Sequence, residues 1–279
     1  MEILKEKQKI VINNPDSFKI KDILECGQVF RYNIFSDYAD VVTKDHYAQI
    51  VDYGKKIIIN CDDSEYFYDY FDLDTDYQAI KQQIKVNPYM SSVIEFGQGI
   101  RILKADLFEM IISFIISANN NIGRIKKTLD FISKHFGKDM GGYNAFPEID
   151  VLAQADEKFF LSAGCGYRSP YLVHTSNFLN NSHTLFFELL KNSDTIQAFE
   201  KLMTLKGVGE KVADCVLLFG LHRTDVFPVD TWIFKVYKDN FNGELTSRKN
   251  IREFFINLFG NLSGYAQQYL FYFKRSSKA

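Results

Sequence analysis

The stretch DTIQAFEKLMTLKGVGEKVADCVLLFGL, residues 194–221, decides how the rest of the chain is read. It has the pattern of a helix, a tight turn and a second helix. The turn is Gly207-Val208-Gly209 within a hairpin at about residues 203–213. Glycine tolerates positive φ and leaves backbone N–H groups uncovered. Those groups, with the dipole of the second helix, favour an anion, and a DNA phosphate is the natural candidate. G-x-G alone also fits an ordinary helix–helix connection. The longer string L-x-G-V-G-x-K-V-A is far more specific.

Lys211 falls in the first turn of the second helix. The macrodipole there favours an acidic side chain and disfavours an ammonium, and a free amine is what a lysine nucleophile needs. Position alone still favours the plainer reading, a solvated or phosphate-contacting lysine. Lys211, Cys215 and Phe219 follow at i, i+4 and i+8, one stripe of a helix. A lysine heading soft apolar groups suggests the wall of a partly dry pocket, although Cys215 and Phe219 also suit a core. Downstream comes DVFPVDTW, residues 225–232. Asp230 reads as the N-cap of the next helix. It also reads as a carboxylate held near Lys211 to stabilise positive charge developing on a sugar.

On the N-terminal side, the first 85 residues read mainly as strands: KIVIN, QVFRYNIF, ADVVT, YAQIVDY and KKIIINCD, with DYGKK as a hairpin signal. The acidic, aromatic CDDSEYFYDYFDLDTDYQ leads out of the sheet, and from about residue 76 the pattern turns helical. DLFEMIISFIISANNN is apolar on nearly all sides between Phe108 and Ile116, as a helix at a domain centre would be. The expected fold class is α+β: an antiparallel β-rich domain over residues 1–90, then a helical body over 91–279.

Composition sets limits. With 279 residues, 46% hydrophobic and 24% charged, the chain can bury a sizeable core. MEILKEKQKIVINN at the start lacks the apolar run of a signal peptide, and MIISFIIS (110–117) is too short to cross a bilayer. A cytoplasmic, monomeric protein with no membrane association is expected. Cys26, Cys61, Cys165 and Cys215 are scattered without a CxxC pair, so neither a metal site nor a cofactor is expected. Net charge is −2, but residues 1–90 carry −5 and the remainder +3. Any polyanion surface therefore belongs to the C-terminal two thirds and must be local.

Beyond the hairpin, GQVFRY (27–32), GIRILKADLFEMIISFIISANNNIGRI (99–125), GYRSPY (166–171) and YAQQYLF (265–271) stand in an order that spans most of the chain. Together with LKGVGEKVADCVLLFGLHRTDVFPVD, they resemble the helix-hairpin-helix DNA glycosylases of the HhH-GPD superfamily. Within it, they resemble the 8-oxoguanine DNA glycosylase/lyases. The resemblance implies a TBP-like N-terminal sheet, a helical glycosylase body and a base-recognition helix at about 263–274. It implies Lys211 as nucleophile and Asp230 as its acidic partner. Gly27 would read the lesion through its carbonyl, Gln267 would read the Watson–Crick edge, and Phe271 would stack on the base. Cys215 would form the opposite wall, with Phe219 behind it. Asn119, Arg124 and Arg168 would fill the gap and read the widowed cytosine, Tyr167 would wedge into the duplex, and Gly207, Val208 and Gly209 would grip phosphate.

The chemistry agrees. N7 of guanine accepts a hydrogen bond, whereas 8-oxoguanine carries N7–H, so a Gly27 carbonyl would bond the lesion and oppose the normal base. Attack at C1′ requires the nucleotide to leave the stack. The implied activity is excision of 8-oxoguanine opposite cytosine from double-stranded DNA, with Schiff-base formation and β-elimination. One departure stands out: the family often has histidine two residues after the catalytic aspartate, where this chain has Trp232. The clustered C-terminal cysteines of the superfamily's iron–sulfur branch are missing, which argues against that branch. Two rivals stand beside this reading. Alkylated-base glycosylases of the superfamily lack the lysine. A non-catalytic hairpin module would have no use for Lys211, Asp230, Gln267 and Phe271 together.

Overall fold

The structure, a computed structural model, describes residues 1–277. Strands β1 (Glu2–Glu6), β2 (Lys9–Asn13), β3 (Tyr32–Ile34), β4 (Ala39–Thr43), β5 (His46–Asp52) and β6 (Lys56–Cys61) form one antiparallel sheet in the order β1-β2-β6-β5-β4-β3. Alternation in the sequence places Ile10, Ile12, Ile57, Ile59, Ala48, Ile50, Ala39 and Val41 on one buried face. The register pairs Ile10 with Ile59, Ile12 with Ile57 and Ile50 with Ile59, so that face is continuous across four strands.

Three differences from the sequence expectation have local causes. QVFRYNIF is strand only at Tyr32–Ile34. Before it, the fully buried Gln28 takes the backbone elsewhere. Its Nε2 donates to Ile23 O (2.9 Å) and Arg101 O (2.8 Å), and its Oε1 accepts from Leu103 N (2.9 Å). Strand β1 gave no signal because it is a largely exposed, charged edge. Helix begins earlier than residue 76. The segment Ser64–Tyr70 is already helical because Asp63 caps it, accepting from Glu65 N and Tyr66 N.

Helix α1 (Ile20–Glu25) lies between β2 and β3, and α2 (Ser64–Tyr70), α3 (Tyr77–Gln83) and α4 (Pro88–Phe96) lead into the body. The body comprises α5 (Leu107–Ser117), α6 (Ile122–Phe136), α7 (Ile149–Leu152), α8 (Glu157–Ser162), α9 (Ser169–Asn192), α10 (Thr195–Met203), α11 (Glu210–Gly220), α12 (Thr231–Asn240), α13 (Arg248–Phe259) and α14 (Ser263–Ser276). Every residue of α5 from Leu107 to Ile116 is buried. Its one charge, Glu109, meets Arg31 (3.3 Å) and Lys44 N (2.8 Å), which ties the central helix to the sheet. Among the described residues no helix is long and apolar enough to cross a membrane.

The C-terminal helix closes the chain onto its beginning. On α14, Gln268 Nε2 donates to Cys26 O (2.6 Å), Tyr272 OH to Asp22 (3.3 Å), and Arg275 Nη2 to Glu25 O. The end of α1 is thereby fixed against α14, and Gly27 with it.

Candidate active site

Four segments converge on one place. The first is the hairpin between α10 and α11. Gly207 has φ +85°, and a Cβ there would lie 2.9 Å from Tyr171 Cβ and 3.2 Å from Ile115 Cγ2, so the turn passes where only glycine fits. Gly209 is the N-cap of α11 and offers no side-chain cap. A Cβ there would meet nothing within 4 Å. The chain is open on that side at the start of α11, where the positive end of the helix dipole lies.

In the first turn of α11, the Lys211 amine lies 5.0 Å from the centroid of the Phe114 ring. Burial holds the proton on the Cys215 thiol up to about 11, although the nearby Lys211 charge pulls it down. Phe219 continues the stripe and stacks on Phe114 with ring centroids 5.5 Å apart. Phe114 is a wall residue that sequence reading did not single out, because nothing in an all-apolar helix marks one face from another. Beneath Cys215, Asp214 makes a two-pronged pair with Arg252 (2.7 and 2.8 Å). Burial outweighs that arginine and pushes the Asp214 carboxyl up to about 6.

The second segment is the buried loop Val226–Val229 leading to Asp230. Asp230 caps α12: its Oδ1 accepts from Trp232 N and Ile233 N, both at 2.9 Å. Burial raises its carboxyl above the ordinary value of 3.8, opposed by the Ile233 amide, the Lys211 charge, the Trp232 amide and the Arg248 charge. The sequence-read pair is therefore electrostatically coupled. Trp232, two residues on in the first turn of α12, is half-buried, with Lys235 Nζ 5.3 Å from its ring.

The third and fourth segments are α14 and the Gly27 loop. Gln267 is buried. Its Nε2 donates to Pro228 O at 3.2 Å, while its Oε1 is buried without a partner. One turn along, Phe271 is only partly buried. Gly27 has φ +85°, and a Cβ there would stand 3.0 Å from Phe271 Cε1 and 2.9 Å from Arg275 Nη1. Gly27, Phe271 and Arg275 thus form one contact. Arg275 was not read as a site residue, although its spacing, i+4 from Phe271 and i+8 from Gln267, was visible in the sequence.

The fifth group lies beside these. Tyr167 is 56% exposed, and Asn119 and Arg124 are exposed. Asn119 sits at φ +49° in the turn between α5 and α6. Arg168 is buried and its guanidinium is spent on the same turn. It donates to Ala118 O (2.8 Å), Asn119 O (2.9 Å) and Cys165 O (3.1 Å). Tyr167 OH donates to Ala118 O at 3.2 Å, and the Arg168 guanidinium lies 4.4 Å from the Tyr167 ring. Asn119, Tyr167 and Arg168 are one structural unit. Arg124, on the first turn of α6, stands free of it.

A glycine hairpin running through a buried Val-Phe-Pro-Val loop to an aspartate-capped helix, with a lysine at its head, is the fold of the helix-hairpin-helix superfamily of DNA glycosylases. The family model of the 8-oxoguanine DNA glycosylase N-terminal domain matches residues 10–111. The chain is similar over 100% of its length to 99% of the Clostridium acetobutylicum 8-oxoguanine glycosylase/lyase bound to double-stranded DNA containing cytosine opposite 8-oxoguanine, with 37% identity and a TM-score of 0.93. It is 31% identical to the Methanothermobacter thermautotrophicus probable N-glycosylase/DNA lyase, over 76% of this chain and 74% of that protein. It is 34% identical to the Arabidopsis thaliana N-glycosylase/DNA lyase OGG1 over 67% of this chain, and spans about half, 55%, of that relative's length. The chain belongs to the 8-oxoguanine DNA glycosylase family.

Proposed function

We propose that the protein is a bifunctional DNA glycosylase/β-lyase that removes 8-oxoguanine opposite cytosine from double-stranded DNA. The observation that carries this is the coupled pair at the head of α11. The Lys211 amine faces Phe114 and Cys215, and its charge is felt by the half-buried Asp230 carboxyl. The relatives' names and the DNA complex of the Clostridium protein support the same substrate.

Each residue has a task on this reading. The amides at Gly207, Val208 and Gly209 and the first turn of α11 hold a backbone phosphate, and Asn119, Tyr167 and Arg124 occupy the gap left by the flipped nucleotide. Reading cytosine with Arg168 would require it to exchange its bonds to Ala118 and Asn119. The base enters between Phe271 and Cys215. Its N7–H donates to the Gly27 carbonyl, and its Watson–Crick edge meets Gln267, whose unpaired buried Oε1 needs a donor. Asp230 stabilises positive charge at C1′ as the N-glycosidic bond breaks, and takes the proton that Lys211 gives up. The Lys211 nitrogen bonds C1′, the sugar ring opens to a protonated imine, and loss of a C2′ proton expels the 3′ phosphate. We place the protein in the cytoplasm, in keeping with four buried, free thiols.

Borohydride trapping on a duplex with one 8-oxoguanine opposite cytosine tests this. A covalent adduct is expected with the wild type and none with Lys211→Gln. No wild-type adduct sinks the Schiff-base mechanism, and an adduct that persists in Lys211→Gln moves the nucleophile elsewhere.

A further inference from the structure

Arg275 holds a buried nitrogen with nothing to bond. Its Nη2 is satisfied by Glu25 O, but Nη1 is buried and has no partner. The guanidinium stands 5.2 Å from the Phe271 ring centroid, and Nη1 is the atom nearest to where a Cβ on Gly27 would be, at 2.9 Å. A buried, always-charged donor left without an acceptor costs free energy, unless a ligand supplies the acceptor.

We infer that Arg275 is a specificity-determining residue of this pocket, whose Nη1 donates to O8, the oxygen that the lesion has and guanine lacks. This rests on the proposed reading that a flipped 8-oxoguanine lies on Phe271. The direction along α14 then fixes the edge. Gln267, Phe271 and Arg275 follow at i, i+4 and i+8, spaced about 6 Å apart along the axis. A purine laid over Phe271 with its Watson–Crick edge toward Gln267 turns its imidazole edge toward Arg275. Gly27, which would accept from N7–H, is in contact with both Phe271 and Arg275. O8 neighbours N7 on the ring, as Arg275 Nη1 neighbours Gly27 in the pocket. The two contacts are complementary. Guanine presents a lone pair to the Gly27 carbonyl and a C8–H, which accepts nothing, to the guanidinium.

The test is equilibrium binding in the Lys211→Gln background, with duplexes carrying 8-oxoguanine, guanine or 7-deaza-8-oxoguanine opposite cytosine. The last keeps O8 but has carbon in place of N7. Adding Arg275→Ala should weaken 8-oxoguanine binding by about ten- to a hundredfold, as loss of a charged hydrogen bond implies. It should weaken 7-deaza-8-oxoguanine binding by a similar factor and leave guanine binding unchanged. Arg275→Gln, with one neutral donor, should show the same pattern at smaller size, and it carries the test if a thermal melt shows Arg275→Ala unfolded. A loss on 8-oxoguanine that vanishes on the 7-deaza base would make Arg275 a mere support for the Gly27 carbonyl and overturn the inference. An equal loss on guanine would make it a phosphate contact and overturn it too, as would no loss at all. If the Lys211→Gln protein itself shows no preference for 8-oxoguanine over guanine, the reading of the pocket fails, and this inference with it.

Discussion

Asp230 serves two masters. As an N-cap it presents an oxygen to two amides, and as the proposed partner of Lys211 it would have to be ionised. Burial works against ionisation: the carboxyl is raised above 3.8, so the native state holds its proton more tightly than the unfolded chain does. Ionising it therefore costs stability as pH rises through the window above 3.8. On the proposed mechanism, activity should have the opposite dependence. The single-turnover excision rate should fall as pH drops through a value above 3.8, where the carboxylate is lost. Asp230→Asn separates the two duties, because asparagine caps a helix about as well as aspartate. Excision should fall by about 10²–10⁴-fold, the range of a lost acid–base group, with little change in the thermal unfolding midpoint. A parallel collapse of both would reduce Asp230 to a cap.

The hairpin shows how one element divides stability from binding. Its two glycines look alike in the sequence and stand in different surroundings. Gly207 is at positive φ against Tyr171 and Ile115, so Gly207→Ala should destabilise the fold by about 1–3 kcal/mol, a strain that chemical denaturation would measure. Gly209, at φ −100° with open space around it, tolerates a side chain. Gly209→Ala should cost only the difference between a glycine and an alanine cap, about 0.5–1 kcal/mol, and weaken binding to damaged and undamaged duplexes alike if the phosphate sits where the methyl is added. If lesion excision alone suffered, the hairpin would be a base reader instead. The next element, α12, begins at Asp230, and the buried loop before it is pinned by Gln267 bonding Pro228 O. The hairpin, the loop and α14 are therefore one assembly.

At the scale of the molecule, the proposed pocket would join Gly27, from the loop after α1, to residues more than 180 positions later: Lys211 from the hairpin, and Gln267, Phe271 and Arg275 from the last helix. Gln28 holds the Gly27 loop from the inside, tying the end of α1 to the segment before α5 by satisfying Ile23, Arg101 and Leu103 together. Gln28→Leu would bury those groups unpaired, at a cost of about 1–3 kcal/mol. It should also lower the preference for 8-oxoguanine over guanine in excision assays, because Gly27 is its chain neighbour. Full discrimination in a destabilised Gln28→Leu protein would show that Gly27 is positioned from α14 alone.

The sequence by itself determined what local chemistry can determine. Alternating Ile and Val specified the buried face of the sheet, the unbroken apolar run specified α5 as the central helix, and L-x-G-V-G-x-K-V-A with a later aspartate marked the hairpin and the cap of the helix after it. Each is a signal carried within a few turns or strands. Tertiary structure alone decided the rest. The strand expected at residues 28–31 gave way to a loop because the Gln28 amide found partners more than seventy residues away. Phe114 became a pocket wall through the packing of α5 on α11, which its own helix does not encode. Arg168 was spent on the Asn119 turn, and Arg275 was left with a free buried donor beside Gly27, because long polar side chains take whatever acceptors the assembled fold brings within reach.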